Sequence, residues 1–239
     1  MPIWNGKPKF NYQTINRETT EEGRTYDING EKLPSVTTIL AATRSPEAKA
    51  NLAKWRQKLG ENEADKVRDD AGTRGTIMHR ILEGHIKGEN HADLSDLGQE
   101  AGVMAQNIID DGHFRPLTEV WGLEMPLYYP GLYAGASDVV GIYEGQESII
   151  DFKQSNKFKK RNWIDDYFIQ CAAYAMAHNY VYRTSINTGV IMISVKGGRV
   201  LRYASTGHEF RQFTYAWLKR VDLYWNLKES GKLQEPGAT

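Results

Sequence analysis

Two acids and a lysine set close together on a strand pattern carry the clearest chemical signal in this chain. The stretch from Gly131 to Lys153 reads GLYAGASDVVGIYEGQESIIDFK. Runs of strand character, Ala136 to Tyr143 and Glu147 to Lys153, flank a turn marked by Glu144, Gly145 and Gln146. With a two-residue turn at Glu144-Gly145, Asp138 lies across from Asp151 on one face of the hairpin. Lys153 points to that same face, while Ile150 and Phe152 point into a core. Opposed side chains have Cβ atoms roughly 4.5–5.5 Å apart, where like charges are destabilising. Such a cluster suits a divalent cation, with an ammonium placed to handle a water or a phosphate oxygen. The hairpin alone also fits a surface ion pair, and the acid-x-Lys pattern recurs at Glu47-Ala48-Lys49 in what reads as a solvated helix. The surroundings must decide.

Neighbouring elements bring further candidates to the hairpin. Asp69 to Lys87 has a helical apolar stripe of Met78, Ile81, Leu82 and Ile86, and on an adjoining face Gly75, His79 and Glu83 recur at i, i+4 and i+8. A glycine one turn before the histidine would let another backbone approach the imidazole. Glu119 to Tyr129 reads as a strand beside the hairpin, with Glu124 as its interior acid. Past Lys153, the side chains of Lys157, Lys159, Lys160 and Arg161 crowd around Phe158, with Trp163 just beyond. Charge interleaved with flat surfaces is what a groove for single-stranded nucleic acid requires, although a solvated loop has the same composition. Asp165 to Tyr182 is a helix that sets Gln170 and Tyr174 one turn apart.

The remaining elements frame these. Arg24 to Ile28, Asn29-Gly30 and Glu31 to Leu33 form a short hairpin, and Ser35 caps a helix through Leu40. A second helix from Pro46 to about Leu59 carries Lys49, Lys54, Arg56 and Lys58 around Trp55, a solvated helix with a buried Trp or a DNA contact. Ser95 caps a helix to about Asp111. Gly189 to Val195 and Arg199 to Ala204 make another hairpin about Gly197-Gly198, and Glu209 to Lys228 closes the chain with a seam of Phe213, Trp217, Val221 and Tyr224. The 239 residues, 40% hydrophobic, support one domain spanning 1–239, with residues 1–60 packing on its core. Lys plus Arg and Asp plus Glu both total 30, so a polyanion must be gripped locally. The single Cys171 excludes an internal disulfide framework and a cysteine-ligated metal site. No run is long and apolar enough to span a bilayer, no secretory or transit segment is evident, and a soluble, intracellular protein is expected. His85, His91, His113, His178 and His208 lack convergent partners and are assigned to surface or core.

Taken in order, Gly75-x-x-x-His79, Glu124, Gly135-x-x-Asp138, Asp151-x-Lys153 and Gln170-x-x-x-Tyr174 resemble the RecB-type branch of the PD-(D/E)XK nuclease superfamily. Within it the chain is most similar to mitochondrial genome maintenance exonucleases and like phage-encoded exonucleases. The likeness also covers Leu33-Pro34-Ser35-Val36-Thr37, Trp55, His79 to Glu83, Ser155-x-Lys157 and the C-terminal helix. Ser137 stands where the superfamily's proline precedes the first acid, a routine departure in this branch. The lack of further cysteines excludes the iron-sulfur staple of some relatives.

The resemblance implies an α/β fold, a mixed central β-sheet flanked by helices with a restriction-endonuclease-like core. It implies metal ligation of Mg²⁺ or Mn²⁺ by His79, Asp138, Asp151 and the Phe152 carbonyl, with Lys153 catalytic. Glu124 and Glu83 are expected to support the site, and Gln170 and Tyr174 to support it or touch DNA. Ser155, Lys157, Lys159, Lys160 and Arg161 are expected to contact DNA. The expected activity is metal-dependent exonuclease action on single-stranded DNA or DNA ends, by a monomer with no membrane partner, in replication, recombination or degradation, in the host cytoplasm if phage-encoded. A flap or branch endonuclease shares every motif, and a non-catalytic DNA-binding module is the third reading.

Overall fold

The computed structural model describes residues 4–20 and 23–233; the ends of the expected domain, 1–3 and 234–239, lie outside the described residues. An antiparallel sheet opens the chain, with β1 (Asn16–Thr20), β2 (Gly23–Ile28) and β3 (Glu31–Pro34) in that order. Three helices follow directly, α1 (Val36–Ala42), α2 (Pro46–Leu59) and α3 (Glu61–Lys87), and then α4 (Asp96–Asp110). Ser35, Ser45 and Ser95 cap α1, α2 and α4, each accepting from a backbone N–H three residues on, as their positions predict. The second sheet comprises β4 (Leu117–Tyr129), β5 (Tyr133–Tyr143), β6 (Gln146–Ser155), β7 (Thr188–Val195) and β8 (Arg199–Thr206). α5 (Asp165–Tyr182) connects β6 to β7, and α6 (Gly207–Glu229) ends the described chain.

Glu144 and Gly145 hold φ of 49° and 76°, the backbone of a two-residue primed turn, and the turn sets Tyr143 opposite Gln146. The larger sheet runs in the order β4-β5-β6-β7-β8, with only β6 and β7 parallel. A parallel pair needs a crossover, and α5 supplies it. The expected mixed sheet flanked by helices is therefore present. Its strands are apolar on both faces because both are covered. Val140, Ile149, Ile191 and Ile193 pack with α1, α5 and α6, whereas Val139, Ile150, Phe152, Val190 and Met192 pack with α3 and α4.

Three expectations need correction. α3 begins at Glu61, not Asp69, because Gly60 turns the chain at φ 84° and Glu61 and Glu63 suit the positive end of the helix; this first part has little apolar periodicity and so was illegible. β1 was not foreseen, since every one of its residues is exposed. Trp55 is 38% exposed, not buried, and α2 buries none of its residues.

α3 is fastened to β6 through Arg74. Its buried guanidinium donates to Gln154 Oε1, Asn156 Oδ1 and Glu100 Oε2 at 2.7–3.0 Å. Removing one partner of such a group costs ~3–5 kcal/mol, so the placement of the helix is well determined.

Near the N-terminus, Phe10 and Tyr12 pack against His178, which is fully buried. Its two ring nitrogens meet Tyr12 Oη at 2.9 Å and Thr184 Oγ1 at 2.8 Å. Burial pushes the imidazole down from 6.5 to about 4. The unfolded chain takes up this proton near 6.5, so folding stability is intact above that pH, falls as pH drops toward about 4, and loses nothing more from this group below it. In urea melts, His178→Gln should lose less unfolding free energy than wild type across that window, by up to about 3 kcal/mol; identical slopes would show that His178 is not the titrating group.

Candidate active site

Past Val139 and Ile150 the central hairpin forks. β5 continues back to Tyr133 paired with β4, and β6 continues to Ser155 paired with β7. In the crotch of the fork, Phe152 takes side-chain partners in place of a strand. Its N–H donates to Asp138 Oδ2 at 2.7 Å, and its carbonyl oxygen lies 2.8 Å from His79 Nε2. A carbonyl only accepts, so Nε2 carries a proton. The other nitrogen, Nδ1, then faces Asp138 Oδ1 at 3.4 Å and Glu124 Oε1 at 3.6 Å. His79, Glu124 and Asp138 thus bring one ligand atom each within 4.8 Å of one another.

Glu124 enters this group by an unusual backbone. Leu123 pairs with Val139 and Met125 with Ser137, which sets Glu124 across from Asp138. Its φ is 51°, left-handed and rare for a non-glycine residue inside a strand. Such strain costs about 1–3 kcal/mol and collects where a site needs a side chain aimed against local preference. Glu124, expected in a supporting role, stands in the cluster itself.

Asp151 and Lys153 share the face that the strand pattern predicts, but the expected opposition of Asp138 and Asp151 needs correction. The ladder ends one pair short of them, and the positive partner of Asp151 is Lys153, whose Nζ lies 2.5 Å from Oδ2. Burial raises the Asp151 carboxyl, Lys153 draws it down and Asp138 raises it again, for a net rise. Burial opposes the Lys153 ammonium, but Asp151 and Asp138 hold its pKa above the usual lysine range. Burial likewise opposes charge on Asp138 and His79. Their mutual attraction outweighs it, lowering Asp138 and raising His79. The Phe152 carbonyl, expected to face a metal, is engaged by His79 instead.

His79, Glu124, Asp138 and Lys153 line a cavity of about 410 Å³ between the two sheets and α3, with Asp151 behind Lys153. Gln170 Nε2 donates to Tyr174 Oη at 3.1 Å on its wall, and a Cβ at Gly135 would lie 2.6 Å from the Tyr174 ring, which explains the glycine. Glu83 also lines it, its carboxylate 2.7 Å from Lys87 Nζ. Gly75 does not act as expected: a Cβ there would meet nothing within 4 Å, and the backbone that approaches the imidazole is that of Phe152.

None of Ser155, Lys157, Lys159, Lys160 and Arg161 lines this cavity. Ser155 is buried and donates to the Lys157 carbonyl, while Arg161 pairs with Asp165 and Glu209 and stacks on Phe168. Those two side chains are consumed by the fold. Lys157 and Lys160 are exposed. The sequence reading did not foresee Arg17, Arg24, Tyr26 and Arg80, which do line the cavity; arginines on a short polar hairpin carry no signal that separates them from a solvated face.

No family model matches the chain. Over 96% of its length it is 25% identical to mitochondrial genome maintenance exonuclease 1 of Mus musculus, covering 70% of that protein. It is 26% identical over 85% of its length to the Homo sapiens protein of the same name, covering 61% of it. This chain is similar to those exonucleases along most of its length. The likeness to mitochondrial genome maintenance exonucleases read from the motifs is thereby borne out. Among solved structures, a candidate exonuclease from Eubacterium rectale is similar with a TM-score of 0.48 at 12% identity, over 69% of each chain.

The strain at Glu124 is testable. Glu124→Gly should match or exceed wild type in Tm because glycine accepts positive φ, whereas Glu124→Gln keeps the strain; both should weaken Mn²⁺ binding by ~10-fold or more. A Tm for Glu124→Gly well below that of Glu124→Gln would show that the backbone stores no strain there.

Proposed function

We propose that this chain is a metal-dependent exonuclease that hydrolyses phosphodiester bonds from ends of single-stranded DNA, acting as a monomer in replication, recombination or degradation. The observation that carries the reading is the convergence of His79, Glu124 and Asp138 beside the Asp151–Lys153 pair in one cavity. Similarity to exonucleases along almost the whole chain supports it.

The donor set fits Mg²⁺ or Mn²⁺, since carboxylate oxygens suit both and an imidazole suits Mn²⁺ better. His79, Glu124 and Asp138 would hold the ion, with Asp151 and the Phe152 carbonyl close by, and it would make the phosphate more electrophilic and acidify a bound water. The chain's own groups do the rest. The Phe152 carbonyl orients His79 by accepting from Nε2, which leaves Nδ1 free to face the cluster once it is deprotonated. The Phe152 N–H fixes the Asp138 carboxylate. Asp151 holds the Lys153 ammonium at the cavity, where it offsets negative charge building on the phosphate and can hydrogen-bond the attacking water.

Lys153→Ala should reduce cleavage of end-labelled single-stranded DNA by ~10²–10³-fold while binding in Ca²⁺ persists. Wild-type cleavage in a variant of unchanged Tm would remove Lys153 from the chemistry. A linear oligonucleotide should be shortened from an end and a circular one spared. Rapid cutting of the circle would favour a flap or branch endonuclease, and binding without cutting a DNA-binding module.

A further inference from the structure

We propose that Arg17, Arg24 and Arg80 form a phosphate-binding subsite in the cavity that holds the acids, gripping a backbone phosphate next to the one being cleaved. This rests on the nuclease reading above. β1 and β2 pair Arg17 with Tyr26 and Thr19 with Arg24, so Arg17, Arg24 and Tyr26 project from one face of the small sheet. That face forms a wall of the cavity, and Arg80, the residue after His79 on α3, adds a third guanidinium.

Among the described residues none of the three makes an ion pair, and what sets them apart from other unpaired arginines is that they line the cavity, Arg24 beside Tyr26. Arg24 Nε is buried and has no hydrogen-bond partner. An unsatisfied buried donor costs about 1–3 kcal/mol, more when charged, and is sustained where a ligand completes it. Its backbone is also held rigidly: Thr38 Oγ1 accepts from the Arg24 N–H at 3.0 Å, and the Arg24 carbonyl accepts from Thr38 Oγ1 and the Ser35 N–H. A clamped main chain carrying a guanidinium with an unmet buried donor is a preorganised anion site.

Charge decides which anion. The same lining carries Glu83, Glu124 and Asp138, and Lys153, the one lysine there, is committed to Asp151. A nucleic-acid strand in this cavity must therefore be neutralised from the arginine wall. The planar guanidinium fork matches two phosphate oxygens, which a lysine cannot do. The basic loop around Phe158 lies off the cavity and cannot substitute there.

The test measures binding of a short fluorescent oligothymidylate to the full chain in Ca²⁺ across a KCl series. Each of Arg17→Gln, Arg24→Gln and Arg80→Gln should weaken binding about tenfold or more. Each should also reduce the slope of log affinity against log salt by ~0.7, the single-strand value for one lost phosphate contact. Mn²⁺ binding without DNA should not change. Arg24→Lys should keep the salt slope while losing part of the affinity. Variants with wild-type affinity and slope would overturn the subsite. If Arg24→Gln lowers Tm sharply, Arg17→Gln and Arg80→Gln, both at exposed positions, decide alone. A wild-type protein that cuts and binds DNA alongside unaffected variants removes only the arginine subsite; one that does neither removes the nuclease reading and the subsite together.

Discussion

The antiparallel ladder between β5 and β6 ends at Val139 and Ile150, and the chemistry of the cavity depends on that ending. Asp138 and Asp151 belong to the sheet face covered by α5, with Val140 and Ile149, whereas His79 comes from α3 on the opposite face. A continuous sheet would keep them apart. The fork opens a gap through which the imidazole reaches Asp138, and the gap exposes a peptide unit that must find hydrogen bonds. Phe152 finds them in Asp138 and His79. Backbone satisfaction and site assembly are thus one arrangement. The N-terminal segment completes it, because Ser35 bridges to Ala134 on the length of β5 that β6 has left.

Electrostatics within the gap is balanced pair by pair. Asp151 faces Lys153, and Asp138 with Glu124 faces His79. Buried pairs of this kind add little net stability, because desolvation offsets most of the attraction, yet breaking one costs ~3–5 kcal/mol. Their value is placement. Three carboxylates against one ammonium and one titratable imidazole leave the group short of positive charge whenever His79 is neutral, which is the state that can bind a metal.

Much of this was legible in the sequence wherever one local rule governed the outcome. The Glu144-Gly145 turn determined the strand register, serines marked helix starts, and period-two patterning put Asp151 and Lys153 on one face. The same register argument overreached at Asp138, because it assumes that a ladder persists, and nothing in the residues Ala136 to Asp138 announces a fork. Glu124 was underweighted for a related reason. Its position in the cluster rests on a left-handed φ that only the folded sheet imposes. The DNA-contact assignment was drawn to Lys157 through Arg161 by density of charge. Density does not tell a free cation from a spent one: Arg161 is paired twice, while the isolated Arg17 and Arg24 are not.

Local rules are broken together around this cavity. Glu124 holds a strained backbone, and Arg24 Nε is buried without an acceptor. At about 1–3 kcal/mol apiece these amount to several kcal/mol, a large share of the ~5–15 kcal/mol that separates a folded domain from its unfolded chain. A sequence under pressure for stability alone would remove them cheaply, with glycine at 124 or a shorter side chain at 24. Under the proposed function, a divalent ion would bring the positive charge that the crowded carboxylates lack, and a backbone phosphate would meet the buried Arg24 donor, so that both costs have a ligand to answer them.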